Sequence, residues 1–119
     1  MATVISMVSH ESISGDQTSS GGTTKMALDI IELSTMDATA QAELVQRKEL
    51  TALELVDAAI ARIERINPTL NAVITPLYED ARAAAVAPDL PDGPFRGVPF
   101  LLKDLGAMQK GQPYYLALR

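Results

Sequence analysis

Through the middle of this chain apolar residues recur at helical steps, and near its end they condense into one short continuous run. The stretch ATAQAELVQR predicts a helix over 38–47, with Asp37 as its N-cap and Ala42 with Leu44 or Val45 on an inward stripe. Thr51-Ala52-Leu53-Glu54 has the form of a capping box: the threonine oxygen takes an amide of the first turn while the glutamate reaches back to the cap. The helix starting there places Leu53, Val56, Ile60 and Ile63 at three- and four-residue steps, with Glu54, Asp57, Arg62, Glu64 and Arg65 largely on other faces. Asn67-Pro68 is expected to stop it, because a residue preceding proline is pushed out of the helical region.

Beyond the helix pair the pattern changes period. LNAVIT, residues 70–75, is a β-branched run that suits a buried strand. Pro76 is placed to open a helix over 77–87, and the proline- and glycine-rich 88–97 reads as a loop. VPFLLK, residues 98–103, reads as a second strand, nearly continuous in apolar residues as if covered on both faces. The predicted fold class is therefore α/β: an N-terminal helix pair followed by a strand-helix-strand unit. That order permits a parallel pair joined by a right-handed crossover. Upstream, Ser9 to Thr24 is dominated by serine, threonine and glycine, which offer little apolar surface to offset the entropy of ordering. Residues 1–30 are accordingly expected to be a disordered extension, leaving at most one domain.

Composition narrows the function classes. Fifteen acidic against ten basic residues give a formal net charge of −5, no footprint for nucleic acid or anionic lipid. The absence of cysteine excludes disulfides, thiolate metal sites and cysteine nucleophiles. The one histidine, His10, sits in the polar tail, a poor basis for a Ser-His-Asp triad or a zinc site. There is no basic-then-apolar leader and no membrane-length run, so a soluble, cytoplasmic protein is expected.

The candidate chemistry lies in GVPFLLKD, Gly97 to Asp104, where the apolar run ends in lysine and aspartate. A strand can close with a lysine that reaches water or pairs with a neighbour such as Asp104. Alternatively, Lys103 enters a partly dry pocket where desolvation favours a neutral amine able to act as a general base.

The longer run GPFRGVPFLLKD, 93–104, resembles the strand that carries the catalytic lysine in the amidase signature family, with its Gly-(Val/Ile)-Pro start, apolar stretch and Lys-Asp. TAQAELVQRKELTALELVDAAIARIERINPTLNAV, 39–73, is similar to that family's N-terminal helix pair and the Asn-Pro-x-(Leu/Ile)-Asn-Ala after it. LGAMQKGQPYYL, 105–116, is similar to members close to the cyclic-amide hydrolases. The resemblance implies that residues 36–119 are the N-terminal part of an amidase domain, the first part of a mixed sheet with covering helices.

It also implies a serine hydrolase of carbon-nitrogen bonds; no cofactor and no metal are expected, the latter because cysteine is absent and histidine is single. Lys103 would be the general base, relaying a proton from a nucleophilic serine through a bridging serine held by a cis peptide, with glycine-loop amides stabilising the oxyanion. Asp104 would be a structural partner of the turn. The family's Gly/Ser-rich segment lies tens of residues beyond its lysine, whereas this sequence stops at Arg119, so the isolated chain is expected to be inactive. Ser19-Ser20-Gly21-Gly22 imitates that segment only superficially, on the wrong side of the lysine. Three readings follow: the N-terminal part of an amidase acting on a small-molecule amide, a complementing subunit whose site is completed by another polypeptide, or a non-catalytic helical interaction module. Ile60, Ile63 and Leu101 are expected to be left partly uncovered without the rest of the sheet.

Limited proteolysis should remove residues 1–30 and spare the region after Asp37; protection of Ser12 to Thr24 would contradict the expected disorder.

Overall fold

A computed structural model describes residues 2–6, 30–106 and 108–116 of the chain. The elements run in the order β1 (Ala2–Ser6), α1 (Ile30–Thr35), α2 (Ala38–Gln46), α3 (Ala52–Leu70), α4 (Tyr78–Ala85) and β2 (Phe100–Lys103). The helix pair forms where its caps place it. Asp37 Oδ1 accepts the Ala40 amide at 2.8 Å. Thr51 Oγ1 accepts the Glu54 amide at 3.2 Å while Glu54 Oε2 takes the Thr51 amide at 2.7 Å, closing the capping box. Such caps satisfy amides that the first helical turn leaves without partners.

Two apolar clusters hold the helices together, and α3 is buried on two sides. Leu33, Ala42, Leu44, Leu50, Leu55 and Val98 form the first, joining α1, α2, the start of α3 and the lead-in to β2. Val56, Ile60 and Ala81 form the second, between α3 and α4, with Ile63 and Tyr78 packed on its edge. Leu53, expected inward, is only half-buried; Leu55 takes the core position because a helix flanked on both sides needs a wider apolar arc than one stripe. Ile60, expected partly uncovered, is closed off by α4 and only 2% exposed. Arg82 ties α4 to α3 by donating from Nε to Asp57 at 2.8 Å and from Nη1 to Glu79. The hydrogen bonds to Asp57 and Glu79 raise the affinity of its guanidinium for its proton above the ordinary value. Burial in the second cluster, with Glu64 nearby, likewise pushes the Tyr78 phenol up.

The strand-helix-strand expectation requires correction. Asn67-Pro68 does not end α3, which continues to Leu70 with Pro68 inside it. Asn71 then turns left-handed (φ 49°) and closes the helix with its amide on the Asn67 carbonyl. The expected strand at 70–75 is absent: Val73 makes only an isolated bridge. The reason is local, since the Asn67 side chain supplies what a neighbouring strand would. Its Oδ1 accepts the amides of Ala72 and Val73, both at 2.9 Å, and its Nδ2 donates to the Val73 carbonyl at 3.0 Å. Once those backbone groups are satisfied, a β-branched run has no need of a ladder. Pro76 lies just before the N-cap Leu77 and not in the first turn of α4.

The second expected strand is present but shorter, Phe100–Lys103. It pairs antiparallel with β1, Ala2 opposite Lys103 and Ser6 opposite Phe100, so Ala2–Ser6, placed by sequence in the disordered extension, carries a strand that its Thr-Val-Ile run favours. Residues 7–29 of that extension, with His10, Ser19 and Ser20, lie outside the described residues. The mixed sheet of the expected fold is likewise not present among the described residues; the helix-rich arrangement is compatible with part of an α/β domain. The burial of β2 alternates between half-buried and exposed, so one face of it is open rather than both being covered.

Gly97 fixes how the strand meets the helices. Its φ of +83° is strained for other residues, and a Cβ there would sit 2.9 Å from the Ala52 Cβ and 3.2 Å from Val45 Cγ1. Gly97→Ala is expected to destabilise the fold by about 1–3 kcal/mol, through both overpacking and backbone strain. Chemical denaturation should show this as a lower midpoint, whereas Gly93→Ala, with nothing within 4 Å of its added Cβ, should leave packing undisturbed.

Candidate active site

The site is built outward from the contact of Gly97 with Ala52 and Val45. Gly97 and Val98 are buried against the ends of α2 and α3, and Val98 belongs to the first apolar cluster. The Val98 amide closes a tight turn on the Phe95 carbonyl at 3.1 Å. From this fixed start β2 projects outward, and strand alternation puts Phe100 and Leu102 toward one face and Leu101 and Lys103 toward the other. Leu101 is 46% exposed, and Lys103 is also exposed.

Asp104 is buried, only 4% exposed, and its Oδ1 accepts the Tyr115 amide at 3.0 Å. A carboxylate out of water is stabilised by amide donors that would otherwise be lost to it. Here that bond holds Tyr115 beside the end of β2. Tyr114 Oη reinforces the turn by accepting the Gly106 amide at 2.7 Å, and Gln112 Nε2 donates to Asp80 of α4 at 3.3 Å. Lys103 is thus bounded on one side by a strand anchored in the helices and on the other by a loop anchored on a buried acid.

Alongside lies a groove of about 320 Å³. Leu55, Ala59 and Ile63 of α3 line it, with Leu33 of α1 and Pro99, Phe100 and Leu101 of the strand side. Polar groups sit at its margins. Gln41 Nε2 donates to the Leu33 carbonyl at 3.0 Å, and Arg62 Nη1 donates to the Ser34 carbonyl at 3.3 Å. Neither residue announces itself in sequence, since each reads as a solvated position on an amphipathic helix. No group of three metal-binding side chains is found among the described residues. No helix among them is long and apolar enough to cross a membrane.

The helix with its capping box, the Asn67 lock, the buried Gly97 and the Lys-Asp pair occur in one collinear stretch, and the family model described as Amidase matches residues 54–118. The chain belongs to the amidase family.

Similarity to individual proteins is also partial. The chain is 52% identical over 75 residues to the 6-aminohexanoate-cyclic-dimer hydrolase of Paenarthrobacter ureafaciens, 63% of this chain and 15% of that protein. It is 51% identical over 71 residues to the lipoamidase of Enterococcus faecalis, 60% of this chain and 10% of that protein. It is 44% identical over 66 residues to a glutamyl-tRNA(Gln) amidotransferase subunit of Geobacter metallireducens, 51% of this chain and 14% of that protein. The chain therefore matches only a small part of the length of each of these relatives. No solved structure matches it.

The role of Asp104 as an anchor can be checked directly. A hydrogen bond to a buried charged group contributes about 1.5–3 kcal/mol, so Asp104→Ala should lower the denaturation midpoint correspondingly. It should also abolish hydrogen-exchange protection of the Tyr115 amide. Asp104→Asn, which keeps an acceptor oxygen, should lose much less.

Proposed function

We propose that this chain supplies the lysine-bearing part of an amide hydrolase, with Lys103 as its general base. The observation that carries the reading is the placement of Lys103, at the exposed end of a strand whose start is fixed by Gly97 and whose exit is fixed by Asp104, within a chain of the amidase family. The named relatives share an amide carbon-nitrogen bond as the group acted on, and differ in what carries it. The substrate class is accordingly an amide.

In the proposed reaction the neutral Lys103 amine accepts, through a bridging serine, the proton of a serine hydroxyl as its oxygen bonds to the amide carbon. The carbon-nitrogen bond then breaks, the amine departs with the returned proton, and water attacks the ester so formed to release the acid and restore the serine. Neither serine can follow Lys103 within these residues, because no serine occurs after Ser34. Ser34 itself donates its hydroxyl to the Ile31 carbonyl at 2.7 Å in α1, a helix-end contact. In this reading both serines and the oxyanion-binding loop belong to polypeptide that follows the lysine in the family and is not among these 119 residues, so no turnover is expected from them alone. That one relative is by name part of a larger enzyme is consistent with a site shared between polypeptides.

The test assays the isolated chain on aliphatic, aryl and cyclic amides, then repeats the panel with the serine-bearing polypeptide supplied. No turnover is expected from the chain alone. In the completed enzyme, Lys103→Ala should lower kcat by several orders of magnitude, because residues acting as one catalytic unit fail together. Lys103→Arg should fail equally, since guanidinium does not give up its proton. Turnover by the isolated chain, or full activity in either variant, would overturn the assignment.

A further inference from the structure

We propose that Ala2–Ser6 is a strap: it occupies one edge of the lysine-bearing strand, keeps that edge from pairing with a second chain, and detaches without unfolding the helices. The inference does not depend on the role of Lys103. Among the described residues β1 and β2 form a two-stranded antiparallel sheet, so β1 is the ladder partner that β2 has there. Ala2 stands opposite Lys103, Thr3 opposite Leu102, Ile5 opposite Leu101 and Ser6 opposite Phe100, so β2 is spanned along its whole length. β1 also runs beside α4. It lies outside residues 54–118, which the family model matches, whereas β2 lies within them. The pairing therefore joins a segment outside the match to the strand inside it that carries the Lys-Asp pair.

The edge needs such cover. An unpaired edge of Phe100–Lys103 would present backbone amides and carbonyls as a template to any extended segment, next to the exposed Leu101. A strand supplied by the same chain satisfies those groups. The pairing is also built to be weak. Val4 is left over between the paired Thr3 and Ile5, so five residues of β1 span four of β2, and a bulge of this kind interrupts the ladder. A two-stranded sheet is marginally stable by itself in water. Closing it joins segments far apart in sequence, an entropic cost that the locally capped α2 and α3 do not carry. Opening of β1 is therefore a local event, whereas release of Leu55, Val56 and Ile60 from the two apolar clusters requires global unfolding.

The experiment uses the full 119-residue chain in two altered forms. The first locks the strap with Thr3→Cys and Leu102→Cys. Directly opposed residues of an antiparallel pair have Cα atoms about 4.5–5.5 Å apart, within reach of a disulfide. The chain has no cysteine of its own to compete. Oxidation should close this bond within one molecule. It should not do so for Thr3→Cys combined with Leu70→Cys, at an exposed residue of α3 outside the ladder. The second form releases the strap with Thr3→Pro and Ile5→Pro, because proline removes ladder donors.

In the released form the backbone amides of Phe100–Lys103 should exchange with solvent about tenfold faster or more, while those of Val56 and Ile60 keep their protection. Sedimentation should show the unaltered and locked chains as monomers and the released form associating as concentration rises. Failure of the Thr3→Cys, Leu102→Cys bond to close would overturn the register on which the strap rests. Loss of protection at Val56 and Ile60 on release would make β1 a part of the core and overturn its detachment. Unchanged exchange in β2, or a released form that stays monomeric at every concentration, would show that β1 guards no edge.

Discussion

The arrangement depends on one close approach, the backbone of Gly97 against the first residue of α3. Nothing larger than hydrogen fits between Gly97 and Ala52, and the positive φ needed there is available to glycine at little cost. Three things follow from that contact. The chain leaves the first apolar cluster in a fixed direction, Val98 enters the cluster as its last member, and the strand alternation that sends Leu101 and Lys103 to the open face is set in register. Interiors packed at crystal-like density transmit such a constraint, so a glycine six residues upstream helps decide where the Lys103 side chain stands.

The elements that can be read from sequence are those whose signals are local. Asp37 and Thr51 announce helix starts because each needs only its own side chain and an amide three residues on. The helix end and the expected strand at 70–75 mislead for a related reason. Proline at 68 disfavours a helical residue before it, and β-branched residues favour a strand, but both tendencies are weak against a side chain that satisfies three backbone groups at once. Asn67 is that side chain, and an asparagine before a proline does not reveal in sequence which backbone atoms it will reach.

The candidate site is legible in a different way. Lys103 emerges from the resemblance of the whole run around it, since a lysine at a strand end has ordinary explanations. The structural role of Asp104 at the turn agrees with its burial and its bond to Tyr115, although a partner eleven residues away is beyond what local sequence signals reveal. The groove is invisible in sequence because it arises from three elements at once. Leu33 lies in a six-residue helix with too few turns to show a period, and Arg62 looks like any charge on a solvated face.

The proposed role of Lys103 asks for surroundings that its exposed strand face does not itself provide. A base of this type needs a dry surrounding that favours its neutral form and a neighbour to take the proton from. In this chain Lys103 has rigid support without cover: its strand is anchored by Gly97 and its exit by Asp104, but the face it shares with Leu101 is open. On the proposed reading, cover and proton donor both come from beyond the described residues. Leu101, two residues before the lysine on the same strand face, is exposed with it, so whatever covers one lies close to the other.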